Sequence, residues 1–278
     1  MAQITRFMEK VVEFAKETVV GRPEQALQRG EGGYADWVLI AILCYREREA
    51  ETFRSVVDKF KVMKDIRELL GLSLSNLPHP STVCRALERF SMSLFRKLLS
   101  KTLALFELGD VTAIDASGFD RIAASRRYEK RTGYRFLAMK TTLLTDCSSG
   151  AILDIHCSMS RPHDTQIGWQ VLQRNTELIH TLTGDKGYDW DALRAMLREQ
   201  SVRPVIKHRE FDSLDVAHNA RLDDETYHRR SVVECSFRIL KQRYSDSLKA
   251  TIWYKQFREM TLKAVVKNID SGIGASHC

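Results

Sequence analysis

The sequence predicts an α/β protein in which a sheet flanked by helices follows an all-helical amino-terminal region. Two patterns predict this arrangement. Up to about residue 105 apolar residues recur at helical spacing, whereas from Val111 onward β-branched-rich apolar runs alternate with helical segments in the order βββ, α, β, α, β, α. With 278 residues, 44% of them hydrophobic, the chain can bury the core of one or two domains, which excludes a disordered or collagen-like protein.

The most apolar run of the amino-terminal region, WVLIAILC at 37–44, lies between Asp36 and Arg46. It is shorter than the ~20 residues that span a bilayer, so it predicts a buried helix and no membrane partner. The first residues include Glu9 and Lys10, where a secretory signal has an unbroken apolar stretch. We therefore expect a cytoplasmic protein.

From Ser81 to Leu99, apolar residues recur at three- and four-residue steps, which predicts one amphipathic helix. A helix that stops at Gly71 and a proline-containing turn precede it. This order is compatible with a helix-turn-helix whose Arg85 and Arg89 face DNA, although the turn is longer than usual. A plain helical packing domain with solvated arginines is the open alternative.

The second region begins with three strand-like runs. Strands are predicted at 111–115, 136–146, 151–159, 180–185 and 203–208. Helices are predicted at 163–178, 189–200 and 223–244. Because the later strands alternate with helices, this order favours an α/β sheet over a sandwich.

The cysteine spacing bears on zinc and disulfide sites, and the net charge bears on the kind of binding partner. The six cysteines include no Cys-x2-Cys pair, which argues against a zinc ribbon and against a disulfide framework. The net charge of +7 and the pI near 9.1 favour a polyanionic partner.

Three acidic residues lie where a sheet of this kind gathers ligands. Asp115 ends the first predicted strand, Asp185 ends the fourth, and Glu234 lies within the last helix. Ligand sites of open α/β sheets form at strand ends, and hard divalent ions such as Mg²⁺ bind carboxylate oxygens together with substrate phosphates. If the three side chains converge, they can hold two such ions.

The helix around Glu234 carries a face of mixed charge. At about 100° per residue, four side chains fall within an arc of roughly 60°: Tyr227, Arg230, Glu234 and Lys241. One acid between two cations suits a metal-bound phosphate flanked by positive charge. Periodicity alone leaves open a solvated helix face stabilised by i,i+4 pairs.

These four residues form the pattern Tyr-x2-Arg-x3-Glu-x6-Lys in YHRRSVVECSFRILK at 227–241. The pattern resembles the carboxy-terminal signature of DDE transposases of the insertion-sequence-four and -five superfamily. AIDASGF at 113–119 and TGDKGYD at 183–189 resemble the two catalytic Asp segments of that family, in the same order, and RPHDTQ at 161–166 resembles the stretch before the intervening helix. The resemblance covers about residues 115 to 268. Several segments in this range are particularly similar to archaeal members of the insertion-sequence-five family.

The resemblance implies an RNase H-like mixed sheet flanked by helices. The implied domains are a helical amino-terminal domain at 1–108, for which DNA binding is one interpretation, an RNase H-like DDE catalytic domain at 109–270, and a flexible tail at 271–278. The implied activity is Mg²⁺-dependent cleavage at transposon ends followed by strand transfer into target DNA, that is, cut-and-paste transposition.

The resemblance also assigns roles to residues. Asp115, Asp185 and Glu234 are implied to be the catalytic, metal-binding triad for two Mg²⁺ ions, with Mn²⁺ as a substitute. Two Mg²⁺ ions in such a site activate an attacking water and then a DNA 3′-hydroxyl. Two other functions stay open, namely an RNase H-like structure-specific nuclease that does not join strands, and a catalytically dead DNA-binding relic.

The remaining signature residues, Tyr227, Arg230 and Lys241, are implied to contact transposon-end DNA. The implied partners are the terminal inverted repeats of the transposon and target DNA, which puts the protein at the nucleoid. A homodimer is expected on the DNA because two transposon ends must be brought together.

A basic segment follows the first catalytic segment. Between Arg121 and Lys140 the chain has seven basic residues against one acid, interleaved with aromatic residues. Such a hairpin-like segment can grip a nucleic-acid backbone. The residues predicted to contact DNA there are Arg126, Arg127, Lys130 and Arg131. The alternative is an ordinary charged connection between strands.

Overall fold

The computed structural model describes residues 3–21, 24–27, 33–121, 131, 133 and 137–275. The chain divides into two compact units. The helical unit comprises Met1–Leu105, Arg243–Ser245 and Ala250–Cys278, and the sheet unit comprises Phe106–Gln242 and Asp246–Lys249. The predicted domains 1–108, 109–270 and 271–278 follow the linear sequence and stay a prediction, whereas the two units group the residues after 250 with the amino-terminal helices.

The helices, in chain order, are α1 (Gln3–Thr18), α2 (Asp36–Arg48), α3 (Phe53–Val62), α4 (Lys64–Leu69), α5 (Pro80–Arg89), α6 (Met92–Lys101), α7 (Asp164–Gln173), α8 (Asp191–Glu199), α9 (Ser213–Ala220), α10 (Asp224–His228), α11 (Ser231–Tyr244) and α12 (Trp253–Ala275). The strands are β1 (Val111–Arg121), β2 (Met139–Asp146), β3 (Ile152–Ser158), β4 (Thr181–Gly184), β5 (Arg203–Ile206) and β6 (Ser247–Leu248).

The central helix of the helical unit is α2. Its residues 37–47 are all buried, and α1 and α12 pack against it. Two of these residues, Arg46 and Glu47, form an ion pair, and the Arg46 guanidinium lies 4.2 Å from the Phe53 ring centroid. The prediction of a buried helix here is confirmed. Among the described residues, no helix is long and apolar enough to cross a membrane.

The single amphipathic helix predicted from Ser81 to Leu99 is wrong, because the structure has two helices there, α5 and α6. The chain is extended at Phe90, and the Ser91 hydroxyl then accepts a hydrogen bond from the Leu94 backbone N–H at 3.2 Å. Serine at this position caps a new helix and satisfies a donor that has no partner within the helix. Apolar spacing alone does not detect the break, because both helices bury the same kind of face.

The last helix, α12, is buried although it is rich in polar residues. Its buried polar side chains include Gln256, Glu259, Lys263, Asn268 and Asp270. These groups have partners inside the helical unit, since the Glu259 carboxylate accepts from the Ala250 backbone N–H at 2.8 Å and the Asn268 amide donates to the Thr102 hydroxyl at 3.0 Å. The helix continues to Ala275, so residues 271–275 of the predicted flexible tail are helical.

The sheet unit contains a mixed sheet of strand order β3-β2-β1-β4-β5. Strands β1, β2 and β3 pair antiparallel, whereas β1, β4 and β5 run parallel, and short β6 pairs with the end of β1. Helix α7 packs against β2 and β3, α8 against β5, and α10 against β4 and β5. The predicted fold class, an RNase H-like mixed sheet flanked by helices and preceded by a helical region, is confirmed.

The long helix predicted at 223–244 is interrupted in the structure. Asp223 caps α10 by accepting a hydrogen bond from the Thr226 backbone N–H at 3.0 Å, and α10 ends at His228. The backbone N–H groups of Arg229 and Arg230 then bond to carbonyls three residues earlier, which tightens the chain into a turn before α11. Helix α9 (Ser213–Ala220) is an element that the sequence analysis did not predict.

Candidate active site

Asp115 and Asp185 lie at one level of the sheet because of the strand register. Ile114 on β1 is paired with Gly184 on β4, and each aspartate is the next residue. Since neighbouring strands lie about 5 Å apart, the two backbones that carry these aspartates are adjacent. Parallel pairing of β1 and β4 therefore brings together two acids that are 70 positions apart in the sequence.

The Asp115 carboxyl group is half-buried and is influenced by the charges of two other acids and one cation. Burial is the largest cause that raises its pKa, to about 6, and the Ala116 backbone N–H opposes the rise. The charges of Asp185 and Glu234 raise the pKa further, while Arg230 lowers it. Like charges disfavour the ionised form. The triad acids are thus electrostatically coupled, and the site favours a positive charge beside Asp115.

Asp185 is held by the turn that follows β4. Its carboxylate accepts a hydrogen bond from the Gly187 backbone N–H at 2.8 Å and so caps the 3-10 turn Lys186–Tyr188. A Cβ atom on Gly187 would lie 2.7 Å from the Asp185 carboxylate oxygen, closer than real Cβ contacts. A side chain at this position would therefore displace the Asp185 carboxylate from the orientation it has here.

Glu234 lies in the first turn of α11 and is paired with Arg230 at 2.9 Å. The guanidinium of Arg230 also lies 5.4 Å from the ring centroid of Tyr227. Further along α11, the Lys241 ammonium donates a hydrogen bond to the Ser117 hydroxyl of β1 at 2.7 Å. Arg230 and Glu234 thus form one pair at the start of α11, and Lys241, further along this helix, contacts the middle of β1.

A cleft of about 400 Å³ opens between β1 and α11. Its lining residues are Asp115, Ala116, Ser117, Glu234, Phe237, Arg238, Lys241 and Gln242. Two acids therefore share this cleft with two cations, which is a suitable combination for a metal-bound phosphate.

The donor set fits a hard divalent ion in its chemistry, because all three candidate ligands are carboxylates and Asp115 is coupled to the other two. Within the part of the chain that the structure describes, no three His, Cys, Asp or Glu side chains are close enough to enclose an ion. The hydrogen bonds explain this spacing, since Glu234 is turned to Arg230 and Asp185 to Gly187. A bound metal would compete with Arg230 for the Glu234 carboxylate.

Two residues near the triad were not predicted as site residues. Asp164, the first residue of α7, pairs with Lys140 at 2.7 Å, and its other oxygen lies within 3.5 Å of a Cβ position on Gly187. Tyr188 is buried, and its pKa is raised by burial and then by the charges of Asp164, Asp115 and Asp185. Both residues occur in the quoted segments RPHDTQ and TGDKGYD, and this was the available signal.

The predicted DNA contacts differ in where they lie. Tyr227 is buried with 8% of its surface exposed, whereas Arg230 is partly exposed, and Lys241 lines the cleft. Arg131 is exposed. The other three predicted contacts lie outside the described residues: Arg126, Arg127 and Lys130.

Comparison with known proteins adds a family. A family model described as transposase DDE domain matches residues 107–269. No curated protein matches the chain. Among solved structures, the chain is similar to piggyBac transposase in a synaptic complex with hairpin DNA, at a TM-score of 0.50 and 10% identity, over 99% of this chain and 76% of that chain. A second structure, Mos1 transposase in a paired-end complex with the left transposon end, aligns at a TM-score of 0.25 and 15% identity, over 80% of this chain and 82% of that one.

Proposed function

The chain belongs to the transposase DDE domain family, and on this premise we propose that it is a transposase of the insertion-sequence-four and -five superfamily, similar to archaeal members of the insertion-sequence-five family. The finer assignment rests on the Tyr-x2-Arg-x3-Glu-x6-Lys pattern at 227–241 together with the two Asp segments before it. The proposed reaction is cleavage of DNA at the transposon ends followed by transfer of the strand into target DNA.

The single observation that supports this reaction best is the coupling of Asp185 and Glu234 to Asp115 beside a cleft that contains Lys241. DDE transposases generally use divalent metal ions. Asp115, Asp185 and Glu234 would hold two Mg²⁺ ions, or Mn²⁺ in their place, and the metal supplies an activated nucleophile and charge neutralisation at the phosphate.

The residues around the triad have separate tasks in this proposal. Lys241, fixed by Ser117, would neutralise a phosphate as a point charge, and Arg230 could bind a phosphate through two N–H groups in place of its pair with Glu234. Asp115 is ionised above about pH 6 and is then available as a ligand. The Gly187 N–H fixes the orientation of the Asp185 carboxylate, which follows the strand next to that of Asp115.

The proposed partners are the terminal inverted repeats of a transposon and target DNA. The similar piggyBac transposase structure is a synaptic complex with hairpin DNA, which supports DNA as the ligand of this chain. A homodimer on the DNA, nucleoid association in the cytoplasm, a DNA-binding role for 1–108, and a catalytic domain at 109–270 are parts of the same proposal.

The test is to incubate the purified protein and Mg²⁺ with linear DNA that carries the ends of its own element and with a target plasmid. We expect breaks at the ends and products covalently joined to the target, both abolished by a chelator. Breaks without joined products would favour the nuclease. Binding to the DNA without breaks would favour the dead relic.

A further inference from the structure

Two cations cover one aromatic ring at the edge of the candidate active site. The Lys207 ammonium lies 4.3 Å from the ring centroid of Tyr227, and the Arg230 guanidinium lies 5.4 Å from the same centroid. Cations in this position are attracted by the electron-rich face of the ring. Tyr227 thus holds Lys207 beside Arg230, although Lys207 is not part of the four-residue signature.

The strand register puts Lys207 in line with the two aspartates. Ile114 of β1 pairs with Gly184 of β4, and Gly184 pairs with Ile206 of β5. Asp115, Asp185 and Lys207 are the residues that follow these three partners. With about 5 Å between neighbouring strands, the backbone at Lys207 lies roughly 10 Å from the backbone at Asp115, on the far side of Asp185.

Positive charge therefore continues from the triad to the edge of the sheet. Arg230 lies between the triad and Lys207, because it pairs with Glu234 at 2.9 Å and lies over the Tyr227 ring that Lys207 also contacts. A nucleic-acid strand with one phosphate at the acids would need a cation for the next phosphates along its backbone. Lys207 is the cation that the register supplies at that position.

The ion pair that Lys207 already makes does not cancel this charge. Its ammonium lies 3.2 Å from the carboxylate of Asp224, whose side chain is 65% exposed, while the Lys207 side chain is 25% exposed. Because the carboxylate partner is mostly exposed to water, a phosphate can replace it at small cost.

We propose that Lys207 binds a backbone phosphate of the DNA strand that the triad cleaves, and so extends the DNA-binding site from the cleft to the edge strand β5. The inference rests on the proposed function, since it assigns a further contact to the same DNA. The contact is with the sugar-phosphate backbone and does not depend on base sequence.

The opposite end of β5 offers a matched control. Arg203 begins the strand and pairs with Asp223 at 3.2 Å, the same distance as the pair of Lys207 with the neighbouring Asp224. Each cation pairs with one aspartate, but Arg203 lies at the end of the strand away from the triad. Loss of either charge changes the net charge of the protein equally.

The experiment measures the affinity of Lys207→Met and Arg203→Met for a labelled DNA duplex of mixed sequence at increasing NaCl, in a buffer with a chelator. Methionine keeps an apolar chain over Tyr227 and removes the charge. We expect the salt slope, d log K against d log[NaCl], to fall by about one unit in Lys207→Met and to stay unchanged in Arg203→Met. Equal slopes in the unaltered protein and Lys207→Met, or equal losses in both variants, would overturn the inference.

Two further variants keep the test decisive if Lys207→Met unfolds. Lys207→Arg should keep the full salt slope, and Asp224→Asn, which alters an exposed side chain, should bind the duplex more tightly because the competing carboxylate is gone. An unchanged or weaker affinity of Asp224→Asn counts against the inference. If the unaltered protein cleaves transposon ends while Lys207→Met keeps the full slope, only the role of Lys207 fails. If the unaltered protein neither binds nor cleaves DNA, the proposed function fails with it.

Discussion

The helical unit and the sheet unit each contain a carboxylate withdrawn from water, and the two carboxylates have opposite surroundings. In the helical unit, Asp270 is 2% exposed and receives hydrogen bonds from Arg48 at 2.8 Å and Tyr244 at 2.7 Å. A second guanidinium, that of Arg243, lies 3.1 Å away. In the sheet unit, burial raises the pKa of Asp115 to about 6, and the charges of Asp185 and Glu234 add to the rise.

We interpret Asp270 as a structural charge that stabilises the helical unit. Asp115 is the charge that we propose to bind a ligand. A buried carboxylate with cationic and hydroxyl donors stabilises its surroundings only as long as all partners are present. A carboxylate crowded by like charges costs stability in the free protein, and a cation relieves that cost. Substitutions in the two units should therefore have opposite effects on stability and activity.

The largest effect is expected on cleavage in the sheet unit. Asp115→Asn, Asp185→Asn or Glu234→Gln should each lower Mg²⁺-dependent end cleavage by about 10³-fold or more, since each removes charge that holds the metal at the reacting phosphate. DNA binding in a mobility-shift assay should be retained. The matched control is Asp120→Asn, an exposed acid on the same strand, which should cleave normally. Normal cleavage by any triad variant would remove that residue from the site.

The next largest effect is expected on stability in the helical unit. Asp270→Ala removes the acceptor of the Arg48 Nε–H and of the Tyr244 hydroxyl, so the free energy of unfolding should fall by about 3–5 kcal/mol. Denaturant unfolding measures this loss. A loss as small as that of Asp120→Ala would mean that the network around Asp270 does not hold the helical unit together.

The free energy of unfolding should depend on pH through Asp115. Its pKa is about 6 in the folded chain against an ordinary value of 3.8, so the folded state keeps a proton that the unfolded state has already lost. The unfolding free energy of the metal-free protein should therefore fall as pH rises from about 4 to about 6. Asp115→Asn should remove this fall and be more stable than the unaltered protein above pH 6. Parallel pH profiles of the two proteins would contradict the coupling.

The smallest effect is expected from Lys241, one of the two cations of the cleft. Lys241→Ala removes one charge and the hydrogen bond to Ser117, so binding to DNA should weaken and the salt slope should fall by about one unit, while the unfolding midpoint changes little. Anisotropy titrations at several salt concentrations measure the slope. An unchanged slope would place Lys241 away from the DNA.

The sequence predicted the sheet because buried strands are continuous apolar runs between polar breaks, as in β1 and β2. It did not predict the breaks at Ser91 and Arg229, because caps and tight turns depend on local hydrogen bonds and leave the apolar spacing intact. It also gave no assignment for α12, whose Asp270 bonds to a residue 222 positions away.

The candidate site shows the same limit. Strand ends and the four-residue signature were sufficient to propose Asp115, Asp185 and Glu234. The proximity of Asp115 and Asp185 depends on the pairing of Ile114 with Gly184. This pairing is a property of the strand register and cannot be predicted from either segment alone. Asp164 and Tyr188 were missed for this reason, since only the folded chain brings α7 and the Gly187 turn together.

In the proposed function, Asp115, Asp185 and Glu234 together bind a divalent ion. Equilibrium binding of Mn²⁺, measured from the paramagnetic resonance signal of the free ion, compares the unaltered protein with each triad variant and with Asp120→Asn. The unaltered protein and Asp120→Asn should bind Mn²⁺ equally, and every triad variant should lose most of this binding. Triad variants that bind as much Mn²⁺ as the unaltered protein would refute the shared metal site.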